Sequence, residues 1–378
     1  MKDLFQRLAP GLLAMTSLTL VAGVAEVALR VRESWKREEI RAESPGRELC
    51  TEPDPDLVYR YRAGHCDFNA RGFHDADHAA SPAPGTLRLA VIGDSVAVGQ
   101  GVDIEERFDR VLVRRLAARG VAAEAVNLAR TGYSTSQELL LLERDAYAYQ
   151  PALVLWSYVL NDPADPVFHD ANGDLGRFYA RPASQLLHRL RRLIFELREE
   201  LAEDRCGHEF HTLLHCAYAE QVSAHIARIG ALAREHATPT LFVIHPVFEK
   251  DRGFGDSSFA PLHAQLAREA RDAGLIVVDL LDAYRGHEPR TLQQDDPNWF
   301  DLWHPNALGH ALAAEAIEPA LLEAVSGQER EAGDGGGERH QERGAAEQPV
   351  DATRGGVSAL EPPPLKRRAD EEHRRHAA

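Results

Sequence analysis

From residue 86 onward, short apolar runs alternate with longer stretches of helical periodicity, and this alternation limits the possible folds more than any other feature. The apolar runs, each of strand length, lie at 88–92, 124–128, 152–158, 240–247 and 275–280. The helical stretches lie near 106–119, 135–148, 217–236, 259–273 and 305–324. Such alternation requires right-handed crossovers between parallel strands. The pattern therefore predicts an α/β fold with a parallel five-stranded sheet covered by helices on both faces.

The first of these strands ends in Gly-Asp-Ser, residues 93–95. The break at Gly93 delivers Asp94 and Ser95 to the carboxyl end of a buried strand, where open α/β sheets place their ligands. A serine is a poor nucleophile unless a neighbouring base accepts its proton. Ser95 is therefore a candidate nucleophile that needs a base, and Asp94 is expected to support its turn.

The segment Asp301-Leu-Trp-His304 supplies the best candidate base. Residues three apart at a turn or helix start can touch, so Asp301 can orient His304 while His304 faces Ser95. We predict Ser95, Asp301 and His304 as catalytic residues. The alternative is that they are only turn and cap residues, a role that Asp and Ser often take.

Two further strand ends carry groups that can stabilise a developing oxyanion. Gly132 ends the block Asn-Leu-Ala-Arg-Thr-Gly after the second apolar run, and Asn161-Asp162 follows the third. The backbone N–H groups of Ser95 and Gly132 and the side-chain amide of Asn161 are the predicted donors. Asp162 is expected to support Asn161.

These four blocks, in this order, resemble those of the SGNH hydrolases, also called GDSL-type esterases, over about residues 86–325. The resemblance implies a flavodoxin-like three-layer α/β/α sandwich and ester hydrolysis through a Ser-His-Asp triad, with no metal or organic cofactor. Val159 departs from the family, which often has glycine there, and its restricted backbone can alter the approach to Asn161. Val96 replaces a leucine, which removes no catalytic group.

The resemblance to membrane-anchored family members also implies a substrate class. We expect an acetyl or short acyl ester of a small molecule or carbohydrate, such as a cell-envelope or exported polysaccharide. One alternative is an O-acyltransferase in which a sugar hydroxyl replaces water. Another is a catalytically silent carbohydrate-binding protein on the same fold. Val159 favours the silent protein, whereas the intact Ser95, Asp301 and His304 oppose it.

The N-terminus carries an uncharged apolar stretch, Leu8 to Ala25, about long enough to cross a bilayer as a helix. No persuasive cleavage site precedes Arg30, so an uncleaved signal-anchor is preferred over a cleaved signal peptide. More basic residues follow the stretch than precede it, which on the positive-inside rule would leave the domain in the cytoplasm. The cysteine pairs and the family resemblance favour an extracytoplasmic domain, periplasmic or at the cell surface, and this is the placement we predict.

Cysteines and charge narrow the remaining possibilities. Cys50 with Cys66 and Cys206 with Cys216 form two close pairs, which suit two disulfides in an oxidising compartment, the alternative being four free thiols. The formal net charge of −16 argues against a nucleic-acid partner. The histidines at 208, 211 and 215 have helical spacing that a metal site can use, but Thr212 breaks the zinc motif. A disulfide-stapled exposed helix is preferred there.

The chain is thus predicted to have four parts. Residues 1–42 form the membrane anchor and a juxtamembrane helix, and residues 43–85 a lead-in that packs its aromatic side chains, Tyr59, Tyr61, Phe68 and Phe73, on the domain. Residues 86–326 form the hydrolase domain. Its insertion at 163–215, with an amphipathic stretch from Ser184 to Glu203, either caps the site beside Asn161 or packs on the side of the domain. Residues 327–378 are too poor in apolar residues to fold and are expected to be disordered.

Overall fold

The structure is a computed structural model that describes residues 2–43, 46–163, 178–294 and 300–338. Its internal contacts divide the chain into two units, Met1–Glu329 and Arg330–Ala378, and all seven strands lie in the first.

The elements are numbered here in chain order. The strands are β1 (Thr51–Asp54), β2 (Val58–Tyr61), β3 (Leu87–Gly93), β4 (Ala123–Asn127), β5 (Leu153–Tyr158), β6 (Thr240–Ile244) and β7 (Ile276–Asp279). The helices are α1 (Lys2–Glu43), α2 (Arg47–Cys50), α3 (Ser95–Val98), α4 (Phe108–Ala118), α5 (Thr135–Arg144), α6 (Gln185–Cys206), α7 (Phe210–Ala217), α8 (Ala219–Glu235), α9 (Ala260–Asp272), α10 (Leu280–Tyr284), α11 (Pro289–Leu292) and α12 (Ala307–Glu338). Short 3-10 helices lie at Ile104–Glu106, Ala146–Tyr149 and Phe254–Asp256.

The last five strands form one parallel sheet in the order β4-β3-β5-β6-β7. Successive residues of β3 point to opposite faces, as the strand period of two requires. Ala90 and Ile92 join the core under α5, α8 and α9, whereas Leu89 and Val91 join the core under α3, α4 and α12. The predicted three-layer α/β/α sandwich is therefore confirmed, and all five predicted strands are present.

The lead-in forms an antiparallel hairpin, β1 with β2, that the sequence pattern did not predict. Tyr59, Tyr61 and Phe73 are buried, and Phe68 stacks on Tyr61 with ring centroids 4.0 Å apart. The disulfide Cys50–Cys66 closes this segment with 5.6 Å between the Cα atoms. The lead-in is thus packed on the sheet through its aromatic residues.

The N-terminal helix α1 contains one stretch, Pro10–Ala42, that is long and apolar enough to cross a membrane, with a mean hydropathy of 1.9 in its most apolar window. A signal sequence has the same length and composition, so these features alone do not separate the two. The helix also contacts the rest of the chain. The Glu26 carboxylate accepts the backbone N–H groups of Gln185 and Leu186 at 2.9 and 2.8 Å, which caps the N-terminus of α6.

The insertion contributes α6 and α7, which the disulfide Cys206–Cys216 joins with 5.7 Å between the Cα atoms. Helix α6 packs on α1 and α7, while residues 164–177 lie outside the described part of the chain. At the other end, α12 continues to Glu338, past residue 326 where we predicted the ordered domain to end. Residues 328–332, Gln-Glu-Arg-Glu-Ala, are good helix formers that favour this continuation. The predicted disorder of residues 339–378 lies outside the described residues.

Asp75 connects the lead-in to the sheet through hydrogen bonds. One carboxylate oxygen accepts the backbone N–H of Asn127, at the end of β4, at 2.8 Å. The other oxygen accepts hydrogen bonds from Arg107 and Arg110, and His78 lies 3.1 Å from the carboxylate. Burial acts to raise the pKa of Asp75, but the hydrogen bond to His78 and the two arginines outweigh it and lower the pKa.

Replacing Asp75 by alanine leaves Arg107 and the Asn127 N–H buried without this partner. Because Arg107 keeps its two hydrogen bonds to the buried Asp109, we expect Asp75→Ala to lower the free energy of unfolding by about 2–3 kcal/mol, measured by urea unfolding at neutral pH. The matched control, Asp77→Ala, removes an exposed carboxylate that accepts only the Ala70 N–H among the described contacts, and should cost about 1 kcal/mol or less.

The same difference should depend on pH in a defined direction. Because the folded-state pKa of Asp75 lies below 3.8, its contribution is present above that value and is lost as the pH falls through the folded pKa. The difference in the free energy of unfolding between wild type and Asp75→Ala should therefore become smaller at acid pH. A gap that stays constant or widens would contradict the assignment.

Candidate active site

Gly93 lets β3 turn sharply into α3 and present Ser95. Its φ of 152° is one that side chains disfavour, and a Cβ added there would lie 2.8 Å from both Ala97 Cβ and the Ser157 carbonyl oxygen. Ser95 is therefore the first residue of α3, directly beyond the carboxyl end of the strand. Its side chain is largely buried but reaches the loop before α12.

Asp94 stabilises this turn through hydrogen bonds. Its carboxylate accepts the Val96 N–H at 2.9 Å as the N-cap of α3, and the Ser95 hydroxyl lies 3.2 Å from its second oxygen. Burial raises the pKa of Asp94, and the Val96 hydrogen bond and the nearby His304 offset only part of that rise. Asp94 is thus a structural partner of the turn rather than an exposed charge.

The structure brings Ser95, His304 and Asp301 into one line of hydrogen bonds. His304 Nε2 lies 2.8 Å from Ser95 Oγ. On the other side of the ring, His304 Nδ1 lies 2.8 Å from Asp301 Oδ2. An imidazole held in this way by a carboxylate presents its second nitrogen as an acceptor for the serine proton.

Asp301 is itself fixed by the backbone that follows it. Its Oδ1 accepts the N–H groups of Trp303 and His304, both at 2.9 Å, so the carboxylate closes a tight turn around the histidine. Partial burial acts to raise the pKa of Asp301, but the hydrogen bonds and charge of His304 outweigh it and lower the pKa. Asp301 therefore stays ionised beside the imidazole at neutral pH.

Gly132 lies in the loop after β4, which the lead-in hairpin holds in place. The Arg130 N–H donates to the Gly93 carbonyl at 3.2 Å, joining this loop to the end of β3. Tyr61 Oη accepts the Thr131 N–H, and Tyr59 Oη donates to the Thr131 carbonyl, each at 2.8 Å. Gly132 follows with a φ of 76°, a conformation that favours glycine.

Asn161 lies in a turn after β5 that Asp162 closes. The Val159 N–H donates to Asp162 Oδ2 at 2.7 Å, and the Asp162 N–H donates to the Val159 carbonyl at 3.0 Å. Asn161 Oδ1 is buried without a hydrogen-bond partner among the described residues. Val159 is buried with a negative φ, so the turn does not require the glycine that the family often has there.

The sheet order explains how these groups relate. Strand β3 lies between β4 and β5, so Ser95 has the Gly132 loop on one side and the Asn161 turn on the other. Ser95, His304 and Asp301 are in direct contact. Among the described hydrogen bonds, none joins Gly132 or Asn161 to Ser95, and these two residues occupy the flanking loops.

Three carboxyl groups are buried near the site. Asp94, Glu138 and Asp162 are each about 1% exposed or less. Glu138 Oε2 accepts the Trp156 indole N–H at 2.8 Å, while Glu138 Oε1 and Asp162 Oδ1 have no partner among the described residues. Burial, and then repulsion between the carboxylates, raises the pKa of Glu138 and of Asp162 well above their ordinary values.

Two other histidines near the site belong to the scaffold. His245 Nε2 lies 2.9 Å from the Ser157 hydroxyl, and His310 Nδ1 accepts the Phe108 N–H at 3.3 Å. Burial lowers the pKa of His245 to about 3 and that of His310 to about 4. Both rings are therefore neutral at physiological pH.

The predicted exposed helix with His208, His211 and His215 is only partly correct. The disulfide is present, but His211 and His215 are buried. They are four residues apart on α7 and so share a face, and that face packs inward, with His215 Nε2 at 2.9 Å from the Tyr158 hydroxyl. His208 is exposed beside Glu203. The part of the chain that the structure describes holds no His, Cys, Asp or Glu cluster suited to a metal.

His211 is a site neighbour that the sequence analysis missed. Its Nε2 accepts the indole N–H of Trp303 at 3.1 Å, directly before His304 in the chain. Its Nδ1 lies 2.9 Å from Glu209, which caps α7. The histidine spacing drew attention to His211, but nothing in the local sequence indicates a partner 92 positions away.

The raised pKa of Glu138 gives a testable pH dependence. A carboxyl whose folded pKa is raised binds its proton more tightly when folded, so stability falls as the pH rises from the unfolded toward the folded pKa. Glu138→Gln keeps the volume and the acceptor for Trp156 but cannot ionise. Its free energy of unfolding relative to wild type should therefore rise between pH 4.5 and pH 8, by about 1–3 kcal/mol.

Urea unfolding at the two pH values measures this change. Glu143→Gln, at an exposed position of the same helix that pairs with Arg228, is the matched control and should not gain on wild type at high pH. A Glu138→Gln variant that loses stability relative to wild type as the pH rises would contradict a protonated Glu138.

Three solved structures that the chain resembles are distant from it in sequence. The structure of TesA shares 17% identity and a TM-score of 0.40, covering 63% of this chain and 99% of that one. LAE5, an alpha/beta hydrolase enzyme from the metagenome of Lake Arreo, Spain, shares 18% identity and a TM-score of 0.40, covering 64% and 95%. Axe2, an acetylxylan esterase from Geobacillus stearothermophilus, shares 16% identity and a TM-score of 0.39, covering 63% and 94%.

No curated protein matches the chain in sequence. The model of the GDSL-like lipase/acylhydrolase family matches residues 91–312, which is more than half of the chain and includes Ser95, Asp301 and His304. The resemblance read from the four sequence blocks is thereby confirmed. The chain belongs to the GDSL-like lipase/acylhydrolase family and is an enzyme that hydrolyses ester bonds.

Proposed function

We propose that this enzyme is a membrane-anchored serine esterase in which Ser95 is the nucleophile, His304 the general base and Asp301 the residue that orients it. The observation that carries the proposal is the unbroken line of contacts from Ser95 Oγ through His304 to Asp301, with 2.8 Å at each junction. Both distances are within the range required for proton transfer.

The reaction follows from this geometry. As Ser95 Oγ attacks the acyl carbonyl carbon, His304 Nε2 takes the hydroxyl proton and Asp301 stabilises the resulting imidazolium. The tetrahedral intermediate then collapses, the ester oxygen leaves with the proton from His304, and the acyl group stays on Ser95. Water attacks this acyl-enzyme with His304 again as base, which releases the carboxylic acid and restores Ser95.

The oxyanion of the tetrahedral intermediate needs donors close to Ser95. We assign the backbone N–H groups of Ser95 and Gly132 and the side-chain amide of Asn161, with Asp94 and Asp162 as supporting residues. The assignment is supported by the position of the Gly132 loop and the Asn161 turn on either side of the nucleophile strand. Donors that are fixed before the reaction stabilise the developing charge without reorganisation.

The substrate class and the placement complete the proposal. We infer an acetyl or short acyl ester on a small molecule or a carbohydrate outside the cytoplasm, with α1 as the membrane anchor. The apolar stretch Pro10–Ala42 and the two disulfides, which form in oxidising compartments, support this placement. A periplasmic or cell-surface domain would meet esters of the cell envelope.

Two alternatives make different demands. Val159 favoured a silent binding protein, but its φ is negative, so the turn does not need a glycine at this position. An O-acyltransferase would use the same serine with a sugar hydroxyl as acceptor. Supplying an acyl donor together with an oligosaccharide, and comparing released acetate with acetylated sugar, separates this enzyme from a hydrolase.

A fluorophosphonate probe tests the activated serine directly. In the full chain in detergent, wild type should be labelled covalently, and Ser95→Ala should abolish labelling. His304→Ala should slow labelling by at least about a hundredfold, since a general base contributes that much or more. His208→Ala and Ser258→Ala, at exposed positions outside the site, should label like wild type. A folded wild type that is not labelled would argue against the esterase.

The Asp301→Asn variant tests the orienting role. The amide keeps the shape of the side chain but removes the charge that stabilises the imidazolium and selects its tautomer. Turnover of p-nitrophenyl acetate should fall by roughly 10³–10⁴, as expected for this position in a Ser-His-Asp triad. Thermal unfolding should be little changed. Full activity of Asp301→Asn would contradict the assignment even if Ser95 were labelled.

A further inference from the structure

Helix α6 carries an exposed row of apolar side chains that the esterase proposal does not use. We call Leu187, Leu190, Ile194, Leu197 and Leu201 the leucine stripe. All five are between 45% and 78% exposed. The opposite side of the helix is occupied, since Gln185 and Ala202 are buried there and Phe195 stacks on Tyr218. The stripe is therefore open to solvent, and its second half, from Ile194 to Leu201, also forms one wall of a groove whose other wall includes Ala217 and Ala219.

The spacing of the stripe is that of a helix-pairing seam. Its members alternate at steps of three and four residues, which is the a and d pattern of a heptad repeat. With Leu187, Ile194 and Leu201 at a, the three e positions are Arg191, Arg198 and Arg205. Of the two g positions, the first is the exposed Leu193 and the second is Glu200. All three e positions are arginines, of which Arg198 turns toward α7 and donates to the Ala217 carbonyl at 3.0 Å.

This charge pattern distinguishes the two ways in which a helix can pair with its own copy. In an antiparallel pair, e positions face e positions, so the arginines would oppose one another. In a parallel pair, each g position faces the e position five residues further along the other helix. Glu200 then meets Arg205 of the second copy, twice by symmetry. The flanks therefore favour the parallel arrangement.

The contacts between α1 and α6 also favour a parallel pair of α6 helices. Glu26 meets Gln185 and Leu186, and Glu33 pairs with Arg189 at 2.6 Å. Both residue numbers rise together, so α6 runs along α1 in the same direction, away from the uncharged stretch Leu8 to Ala25. Two copies anchored in one membrane with the same orientation therefore present parallel α6 helices.

We propose that the leucine stripe of α6 is an interface with a second copy of this chain, joined as a parallel two-helix pair. The pair covers the exposed leucines and places Glu200 and Arg205 across the seam. Helix α6 has 22 residues, so the seam is short, and a pair of this length is weak in solution. Confinement of both copies to one membrane raises their effective concentration and strengthens the association.

A lipid surface is the competing occupant. A helix that lies on anionic lipid has basic residues on both sides of its apolar face. Here Glu196 and Glu200, at positions c and g, lie on the side opposite the arginines, while Asp204 takes the next d position and ends the apolar seam. The acidic flank and the course of α6 along α1 both favour the second copy.

Cysteine cross-linking tests the interface in the full chain. Its four cysteines form the two disulfides, so an added cysteine is the sole free thiol. Leu187→Cys and Leu190→Cys, near one end of the seam, should each give a disulfide-linked dimer on mild oxidation in proteoliposomes. The control Glu196→Cys, exposed on the same helix but outside the stripe, should give at least about tenfold less dimer, because the thiols are out of reach.

The parallel arrangement of the two helices is tested by the position at which they cross-link and by charge reversal. In an antiparallel pair the Leu187 positions would lie roughly 20 Å apart, so cross-linking at Leu187→Cys would fail. In the Leu187→Cys background, Glu200→Arg should reduce the dimer several-fold, and adding Arg205→Glu should restore it. Equal cross-linking at Leu187→Cys and Glu196→Cys, or no rescue by the double charge swap, would overturn the proposal.

Separate measurements report on the folding of each variant and on its association. Esterase turnover and an intact Cys206–Cys216 disulfide show that each variant is folded, because the stripe lies outside the site. A brominated-lipid quencher that reaches a fluorophore at Leu190→Cys while the chain stays monomeric would assign the stripe to the bilayer and overturn the proposal. Because the readout is a cross-link, its result does not depend on whether Ser95 is the nucleophile.

Discussion

The hydrogen bond between Ser95 Oγ and His304 Nε2 joins two positions 209 residues apart, and the rest of the site is arranged so that this contact can form. The serine end is fixed by Gly93 and by the Asp94 cap of α3. The histidine end is fixed by backbone hydrogen bonds to His304 and to the nearby Leu302. The Gln294 N–H donates to the His304 carbonyl at 3.0 Å, and the Phe248 N–H donates to the Leu302 carbonyl at 2.8 Å. Backbone contacts therefore position both partners of the bond, as the proposed mechanism requires.

The carboxyl groups around this bond divide into two electrostatic classes. Asp301, half-buried and bonded to His304, keeps a lowered pKa and supplies the negative charge that an imidazolium needs. Asp94, Glu138 and Asp162 are buried, and their raised pKa values favour the neutral forms. Ionised carboxylates close to Ser95 would oppose the negative charge that the proposed mechanism develops there. Burial acts to raise the pKa of all four carboxyl groups, and at Asp301 the hydrogen bonds and charge of His304 outweigh it.

Much of this arrangement is predictable because it depends on local patterns in the amino-acid sequence. The five strands follow from apolar runs, and the Ser95, Asp301 and His304 assignment follows from residue types at strand ends and at a spacing of three. The hairpin β1–β2, the Asp75 cluster and the His211 contact to Trp303 were not predicted. Each depends on partners from distant parts of the chain, and a single sequence does not record which distant residues meet. The inward face of α7 was missed for the same reason, since His211 and His215 read as polar residues until their buried partners are known.

The insertion gives the chain a connection that the sheet alone does not provide. Glu26 of α1 caps α6, the Cys206–Cys216 disulfide joins α6 to α7, and His211 of α7 accepts a hydrogen bond from Trp303. The apolar N-terminal helix is therefore linked by direct contacts to the residue beside His304. A disulfide restricts the relative motion of the two helices that it joins. Helices α6 and α7 accordingly form one covalently closed unit, which contacts α1 through Glu26 and the loop before His304 through Trp303.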